Sequence, residues 1–210
     1  MEPAADYTRP TADEALARLV EGNQRFLRGE TRSAAYRRET PADLVKAQRP
    51  YATILGCSDS RVPPEWVFDT GLGELFVIRV AGNTLAPEVA GSLQYAGSYL
   101  DTPLFVVLGH EGCGAIAAAL AAKYEGEQFR SRVELLLQCI TPGLPDFAPH
   151  LSSEERLSHA VENNVRWTVR QILDSPEGRA RVAEGRKKVV GAVYEIGMGR
   201  VRFLPEESPT

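Results

Sequence analysis

Short apolar runs that end at a glycine recur along the chain and are separated by longer amphipathic stretches. Residues 51–55 form a β-branched apolar run that stops at Gly56, and residues 104–108 form a second run that stops at Gly109. Runs of this length and composition are typical of buried strands. Three further runs of the same apolar character complete the set of predicted strands: 74–80, 188–194 and 201–204.

Helical periodicity fills the intervals between these strands. Thr11 and Glu14 form a capping box that opens a first helix, which Gly29 ends. Five further helices are predicted at 63–68, 87–100, 114–120, 128–140 and 154–173. The alternation of strands and helices predicts an α/β fold whose mostly parallel sheet of four strands carries helices on both faces. The turn at Gly197 and Gly199 adds the last strand as an antiparallel edge.

The chain is predicted to be a single domain, 1–210, with an N-terminal helical arm over about 1–47. The first helix could pack on the domain itself or on a second subunit. Residues 30–47 are polar and basic, and they are interpreted as a solvated connection that is not a binding patch. A surplus cysteine, Cys139, is expected to be a buried thiol on a helix.

Charge and composition exclude several classes of function. The formal net charge is −4 and the pI is near 5.5, which argues against a nucleic-acid or acidic-membrane partner. No run approaches the ~20 apolar residues that cross a bilayer, and residues 1–10 lack the features of a secretory signal. Three cysteines are an odd number and do not make a disulfide framework. We therefore expect a cytoplasmic protein.

The candidate chemistry lies where the two buried strands end. Cys57 follows the first run, His110 follows the second, and Cys113 comes three residues later. Two thiolates and one imidazole suit zinc, and three protein ligands leave a position for water, as in catalytic zinc sites. Each residue alone is more often a core or loop residue than a ligand. The close spacing of His110 and Cys113 favours the metal, and Asp59 and Arg61 add a charged dyad beside it.

The motifs around these ligands resemble those of the β-class carbonic anhydrases. The similarity rests on residues 57–62 (Cys-Ser-Asp-Ser-Arg-Val) and 109–114 (Gly-His-Glu-Gly-Cys-Gly), and it extends to 73–83 and 94–96. The resemblance implies that Cys57, His110 and Cys113 bind Zn²⁺. It also implies reversible hydration of carbon dioxide to bicarbonate by a zinc-bound hydroxide. Members of the family are dimers or larger homo-oligomers, so a dimer or a dimer of dimers is expected.

The resemblance also assigns roles to further residues. Asp59 is expected to accept the hydrogen bond of the hydroxide, and Arg61 to hold Asp59 in place. Substrate contacts are assigned to five residues: Gln48, Phe76, Ala81, Tyr95 and Gly114. Gln48 would donate an amide hydrogen bond to a substrate oxygen, often across a subunit boundary. For Phe76, Ala81 and Tyr95, core packing is an equally good interpretation.

Some relatives have a closed form in which the matching Asp binds the metal as a fourth ligand, and Asp59 could do so at lower pH. The bicarbonate pocket linked to that form needs a Trp where this chain has Ile54, although Arg79 and Tyr194 match. We therefore predict no bicarbonate-regulated closure. Two other functions stay open: hydrolysis of carbonyl sulfide or carbon disulfide at the same site, and a structural zinc site without catalysis.

Overall fold

The computed structural model of the chain describes residues 8–32, 42–148 and 150–206. Residues 33–41 of the predicted connection, and residues 1–7 of the predicted arm, lie outside these ranges. The helices are α1 Ala12–Leu27, α2 Ala42–Lys46, α3 Pro64–Val67, α4 Pro87–Ser98, α5 Gly114–Leu120, α6 Arg132–Ile140, α7 Ser153–Asp174 and α8 Pro176–Ala183. The strands are β1 Ala52–Gly56, β2 Leu75–Arg79, β3 Leu104–His110, β4 Lys188–Glu195 and β5 Arg200–Phe203. No helix within the described ranges is long and apolar enough to span a membrane.

The five strands form one sheet in the order β2-β1-β3-β4-β5. The first four strands are parallel, and β5 pairs antiparallel with β4. This arrangement confirms the predicted α/β fold and its antiparallel edge strand. The tight connection of β4 to β5 uses Gly199, whose φ of 70° lies in the left-handed region that glycine adopts without strain.

Two hydrophobic layers cover the sheet, one on each face. Successive residues of a strand point to opposite faces, so Ile54 packs with α1 and α3 while Leu55 packs with α5, α6 and α7. Every residue of β1 and β3 is buried, as expected for parallel strands covered on both sides. Gly109 lets α7 approach β3 closely, because an added Cβ there would lie 2.5 Å from Val165 Cγ2.

Strand β2 differs from its prediction as a buried strand. Residues Leu75 to Ile78 are half-buried and Arg79 is exposed. The reason is topological, since β2 pairs only with β1 within the described sheet and so forms an edge. The sequence run shows the apolar character of the strand but not its position in the sheet.

The helices begin and end close to their predicted limits, with three corrections. Helix α6 begins at Arg132 and not at residue 128, because Ser131 has a positive φ of 69°. Helix α8, and the short helix α2 within the predicted connection, were not predicted. Cys139 lies on α6 as expected but is half-buried, not buried. The capping box of α1 is confirmed, with Glu14 N–H donating to Thr11 Oγ1 at 3.2 Å.

The first helix packs on its own domain and is tethered there by a buried carboxylate. Asp69, which follows α3, accepts hydrogen bonds from Arg25 Nε at 2.6 Å and from the backbone N–H of Arg32 at 2.7 Å. Burial raises the pKa of Asp69, but these bonds outweigh it and hold the pKa below its usual value. The sequence had suggested that the connection is solvated. Arg32 is an exception, because it bonds to the buried Asp69.

Candidate metal centre and active site

Three predicted ligands meet at the carboxyl ends of β1 and β3. Cys57 directly follows β1, His110 is the last residue of β3, and Cys113 immediately precedes α5. The parallel register pairs Gly56 with Leu108, so the two chain exits lie side by side. All three side chains are buried, with exposed fractions of 5%, 0% and 1%. Open α/β sheets place their ligands at this edge, and the sequence argument predicted the same place.

The donor atoms of these residues have the spacing of a metal site. One donor atom from each of Cys57, His110 and Cys113 lies within 4.8 Å of the others, and the two sulfurs are 4.0 Å apart. Two thiolates bound to one tetrahedral zinc, with Zn–S bonds of about 2.3 Å, would lie about 3.8 Å apart. The spacing fits a zinc-sized ion.

The histidine is oriented so that one ring nitrogen is available to a metal. His110 Nδ1 lies 3.0 Å from the carbonyl oxygen of Glu111, and that acceptor places the ring proton on Nδ1. Nε2 is buried and has no hydrogen-bond partner among the described residues. Metal-bound histidines use one nitrogen as ligand and the other as donor in this way. The residues present therefore fit a bound metal.

The electrostatics of the two cysteines favour a cation. The hydrogen bond from the Cys113 thiol lowers the pKa of Cys57 to about 4, against the effect of burial. The same bond, together with burial, raises the pKa of Cys113. Burial lowers the pKa of His110, but the nearby Cys57 sulfur and the bond to the Glu111 carbonyl oxygen outweigh it and raise that pKa. Because thiolate is the form that binds metals, Cys57 is already in the form that binds a cation, and Cys113 would lose its proton as the metal binds.

Asp59 and Arg61 form the predicted dyad next to this cluster. Arg61 Nε donates to Asp59 Oδ1 at 2.9 Å, Nη2 donates to Oδ2 at 2.8 Å, and the Arg61 backbone N–H donates to Oδ1 at 3.0 Å. These bonds hold the pKa of Asp59 well below its usual range. Asp59 Oδ2 also lies 3.9 Å from His110 Nε2. The carboxylate is thus ionised, paired with Arg61 and next to the three candidate ligands.

The comparisons with known proteins agree with this geometry. The sequence model of the family "Carbonic anhydrase" matches residues 52–201. The chain belongs to the carbonic anhydrase family. A carbonic anhydrase of Mycolicibacterium smegmatis is 38% identical over 186 residues, which cover 88% of this chain and 89% of that protein. Family members are lyases.

Two solved structures place the chain in the β class of carbonic anhydrases. The Coccomyxa β-carbonic anhydrase in complex with acetazolamide has a TM-score of 0.71 at 28% identity, covering 90% of this chain and 86% of that one. One of two tetrameric β-carbonic anhydrases from Sordaria macrospora has a TM-score of 0.71 at 26% identity, covering 77% and 84%.

Arg79 supports the loop that carries Cys57 and Asp59. Its Nε donates to the Cys57 carbonyl oxygen at 2.9 Å, and its Nη2 donates to the Asp59 carbonyl oxygen at 2.6 Å. The family resemblance had pointed to Arg79 as part of a bicarbonate pocket, and its support of the loop was not predicted. Ile54, at the position of the missing Trp, is fully buried.

A second feature that the sequence reasoning missed is the turn after β2. Gly82 has a φ of 70°, and its backbone N–H donates to Cys57 Sγ at 3.4 Å. A Cβ at Gly82 would lie 2.9 Å from Ile140 Cδ1, so glycine also suits the packing. The only signal in the sequence was the Ala81-Gly82-Asn83 turn directly after a strand.

The five residues assigned to substrate binding are less closely grouped than the three ligands and the dyad of Asp59 and Arg61. Gln48 is exposed, and within the described chain it makes no hydrogen bond to the ligands or to the dyad. Gly114 begins α5 beside Cys113. Ala81 and Phe76 are half-buried, and Tyr95 is 45% exposed, so core packing is wrong for Tyr95. The substrate roles of all five residues stay predictions.

Proposed function

We propose that the chain catalyses the reversible hydration of carbon dioxide to bicarbonate and a proton, with Zn²⁺ held by Cys57, His110 and Cys113. One observation carries the proposal. Three buried donor atoms of the zinc type lie within 4.8 Å of one another, and an ionised carboxylate of Asp59 lies 3.9 Å from one of them. A site with three protein ligands and an adjacent base is arranged for catalysis, whereas structural zinc sites use four protein ligands.

Each residue has a definite part in this reaction. Bound zinc would supply the nucleophile, because it lowers the pKa of a coordinated water from about 16 towards about 7. Asp59 would accept a hydrogen bond from the nucleophile and so direct the lone pair of that nucleophile towards the carbon of the substrate. Arg61 keeps Asp59 ionised and in position. Gln48 donates to the substrate oxygen on which negative charge develops.

The test combines metal analysis with stopped-flow hydration of carbon dioxide. We expect about one zinc per chain and a hydration rate that falls about 100-fold in Asp59→Ala, the size of a general acid–base contribution. Asp13→Ala is the matched control, since Asp13 is an exposed carboxylate whose side chain pairs with Lys188 on the surface. Zinc-loaded protein that does not hydrate carbon dioxide at pH 8 would support a structural site. Sulfide release from carbonyl sulfide without hydration would support the other hydrolase.

We propose further that the chain works as a homo-oligomer assembled through β2. This strand is an edge whose apolar residues Leu75 to Ile78 are only half-buried. Phe76 of this strand forms an aromatic face together with Tyr95 and Tyr99 of the neighbouring segment. The ring centroids of Phe76 and Tyr95 are 6.1 Å apart, and those of Tyr95 and Tyr99 are 5.3 Å apart. Tyr99 is 79% exposed. Unpaired strand edges and exposed aromatic clusters are typical of subunit interfaces.

A second copy of the chain is the occupant that best explains this surface. The Sordaria macrospora relative is tetrameric, and the family resemblance places the substrate contact of Gln48 across a subunit boundary. In this proposal Gln48 serves the active site of the partner, which accounts for its exposed position without contacts to the ligands of its own chain.

We also propose a reducing, cytoplasmic location. All three cysteines are free thiols, and Cys57 and Cys113 must stay reduced to bind a metal. Fractionation of cells followed by immunodetection tests this location. Recovery of the protein from an oxidising compartment would contradict it.

A further inference from the structure

Two buried polar side chains on α7 face the turn that contacts Cys57. Asn164 and Thr168 are each 1% exposed and lie one helical turn apart. The other buried residues of this part of the helix are apolar: Val161, Val165, Val169 and Ile172. Polar groups in such a stripe cost free energy unless they are hydrogen-bonded. The hydrogen-bond partners of Asn164 and Thr168 should therefore indicate the role of these two side chains.

Both side chains bond to the backbone of the turn. Asn164 Nδ2 donates to the carbonyl oxygen of Gly82 at 2.9 Å, and Thr168 Oγ1 donates to that of Asn83 at 3.4 Å. The N–H of Gly82 in turn donates to Cys57 Sγ at 3.4 Å. A chain of hydrogen bonds thus runs from the middle of α7, through one residue of the turn, to a metal ligand.

The turn has a backbone shape that needs such support. Gly82 and Asn83 both have positive φ, at 70° and 44°. Non-glycine residues adopt this region at a cost, and they keep it only where the surroundings hold them. Asn164 and Thr168 supply two of the contacts that hold this conformation, one to each residue.

We propose that Asn164, supported by Thr168, is a positioning residue for the metal site. It fixes Gly82 so that the backbone N–H points at the Cys57 sulfur. Hydrogen bonds to a coordinating thiolate reduce the electron density that it gives to a metal and fix its direction. Asn164 therefore sets metal affinity and ligand strength from outside the ligand shell. The inference rests on the proposed function only in requiring that a metal binds at these three residues.

The test measures metal binding and not catalysis. In Asn164→Ala we expect zinc affinity, measured by competition with a chromophoric chelator, to fall about 10-fold, the usual effect of removing an outer-shell partner. In the cobalt-substituted protein, we expect the sulfur-to-cobalt charge-transfer band to shift. A role confined to helix packing would leave that band unchanged.

A matched control is available on the other face of the sheet. Asn23 on α1 is also a buried asparagine, 3% exposed, whose Nδ2 donates to the carbonyl oxygens of Val67 and Gly199, both at 3.0 Å. Asn23→Ala should lower the free energy of unfolding but leave zinc affinity and the cobalt spectrum as in the wild type. Thr168→Val removes the longer bond, so it should give a smaller change in the same direction, and it decides the matter if Asn164→Ala does not fold.

The outcomes separate this inference from the proposed function. Wild-type affinity and an unshifted cobalt band in the folded α7 variants would overturn the inference, as would equal effects in Asn23→Ala. Wild-type protein that binds zinc without hydrating carbon dioxide would overturn the function, while weaker binding by Asn164→Ala would still support the inference. Wild-type protein that binds neither metal would overturn both.

Discussion

The metal end of the sheet and its β2 edge are built in opposite ways. At the metal end the three ligands are buried, and two of them bond to backbone groups: the Gly82 N–H donates to Cys57, and the carbonyl oxygen of Glu111 accepts from His110. At the edge, the apolar residues of β2 are half-buried and Tyr99 is largely exposed. The three ligands of the first region all come from one chain, whereas the second region has the composition of a subunit interface. The experiments below change one region at a time.

The largest effect is expected from removing a ligand at the metal end. In Cys57→Ala, the site loses one of its two thiolates, so zinc content should fall and hydration should drop at least about 1,000-fold, since the nucleophile depends on the metal. The matched control is Cys139→Ala, which removes a half-buried thiol outside the site. Zinc content is measured by metal analysis and the hydration rate by stopped-flow assay. Equal decreases in both variants would contradict a zinc site at Cys57.

A smaller effect is expected from Arg61→Ala. Hydration should fall about 100-fold while zinc content is kept, because Asp59 loses its orienting partner. The pKa of Asp59, now held low by Arg61, should rise towards its ordinary value near 4. Asp59 stays ionised at neutral pH, so the pH–rate profile above pH 6 should keep its shape. Arg28→Ala, which breaks an exposed ion pair with Glu30, is the control.

The edge is tested by placing a charge on it. Phe76→Asp should weaken self-association about 10- to 100-fold, because a carboxylate would have to be buried with the aromatic face. Light scattering coupled to size-exclusion chromatography across a dilution series measures the change. Leu135→Asp is the control, since Leu135 is 59% exposed on α6 and not part of that face. Unchanged assembly in Phe76→Asp would mean that subunits meet elsewhere.

A buried carboxylate remote from both regions gives a pH-dependent stability effect. Since the pKa of Asp69 is lowered in the folded chain, its contribution is present above the ordinary carboxyl pKa near 4 and is lost as the pH falls through the folded value. Asp69→Asn should cost about 2 kcal/mol of unfolding free energy at pH 7. The difference from wild type should shrink below pH 4. Urea unfolding measures it, with Asp13→Asn as an exposed control.

The smallest effect is expected from added bicarbonate. Arg79 is engaged with two backbone carbonyls, and Ile54 fills the position of the missing Trp, so no bicarbonate-regulated closure is expected. Bicarbonate should inhibit hydration only as a product, with a hyperbolic dependence near pH 7. The control series uses chloride at equal ionic strength. A steep, cooperative loss of activity on adding bicarbonate would contradict this prediction.

The sequence predicted correctly those features that depend on residues adjacent in the chain. The apolar runs before Gly56 and Gly109 predicted the strands that carry Cys57 and His110, because strand ends and ligands are adjacent in the chain. Partners that are distant in sequence could not be predicted in the same way. Asn164 is separated from Gly82 by 82 positions, and only folding brings them together. Its one sequence signal was a polar residue on the apolar face of a helix.

The same reasoning explains the errors at the edge. An apolar run predicts burial, but the burial of β2 depends on whether the strand is central or at the edge of the sheet. The pattern of apolar residues in one sequence does not contain the strand order. The polar segment 30–47 was interpreted as solvated, yet Arg32 within it bonds to Asp69, which lies 37 positions away in the sequence. In both cases the missing information was the tertiary arrangement.

Arg79 links the metal end of the sheet to its β2 edge. It ends the edge strand, and its guanidinium donates hydrogen bonds to the backbone carbonyl oxygens of Cys57 and Asp59, on either side of Ser58. A neighbour that stiffens the strand would thereby steady the reaction centre of the same chain. In that case the hydration rate per chain should depend on subunit association. Dilution should therefore dissociate the oligomer and also lower the rate of each monomer that it releases.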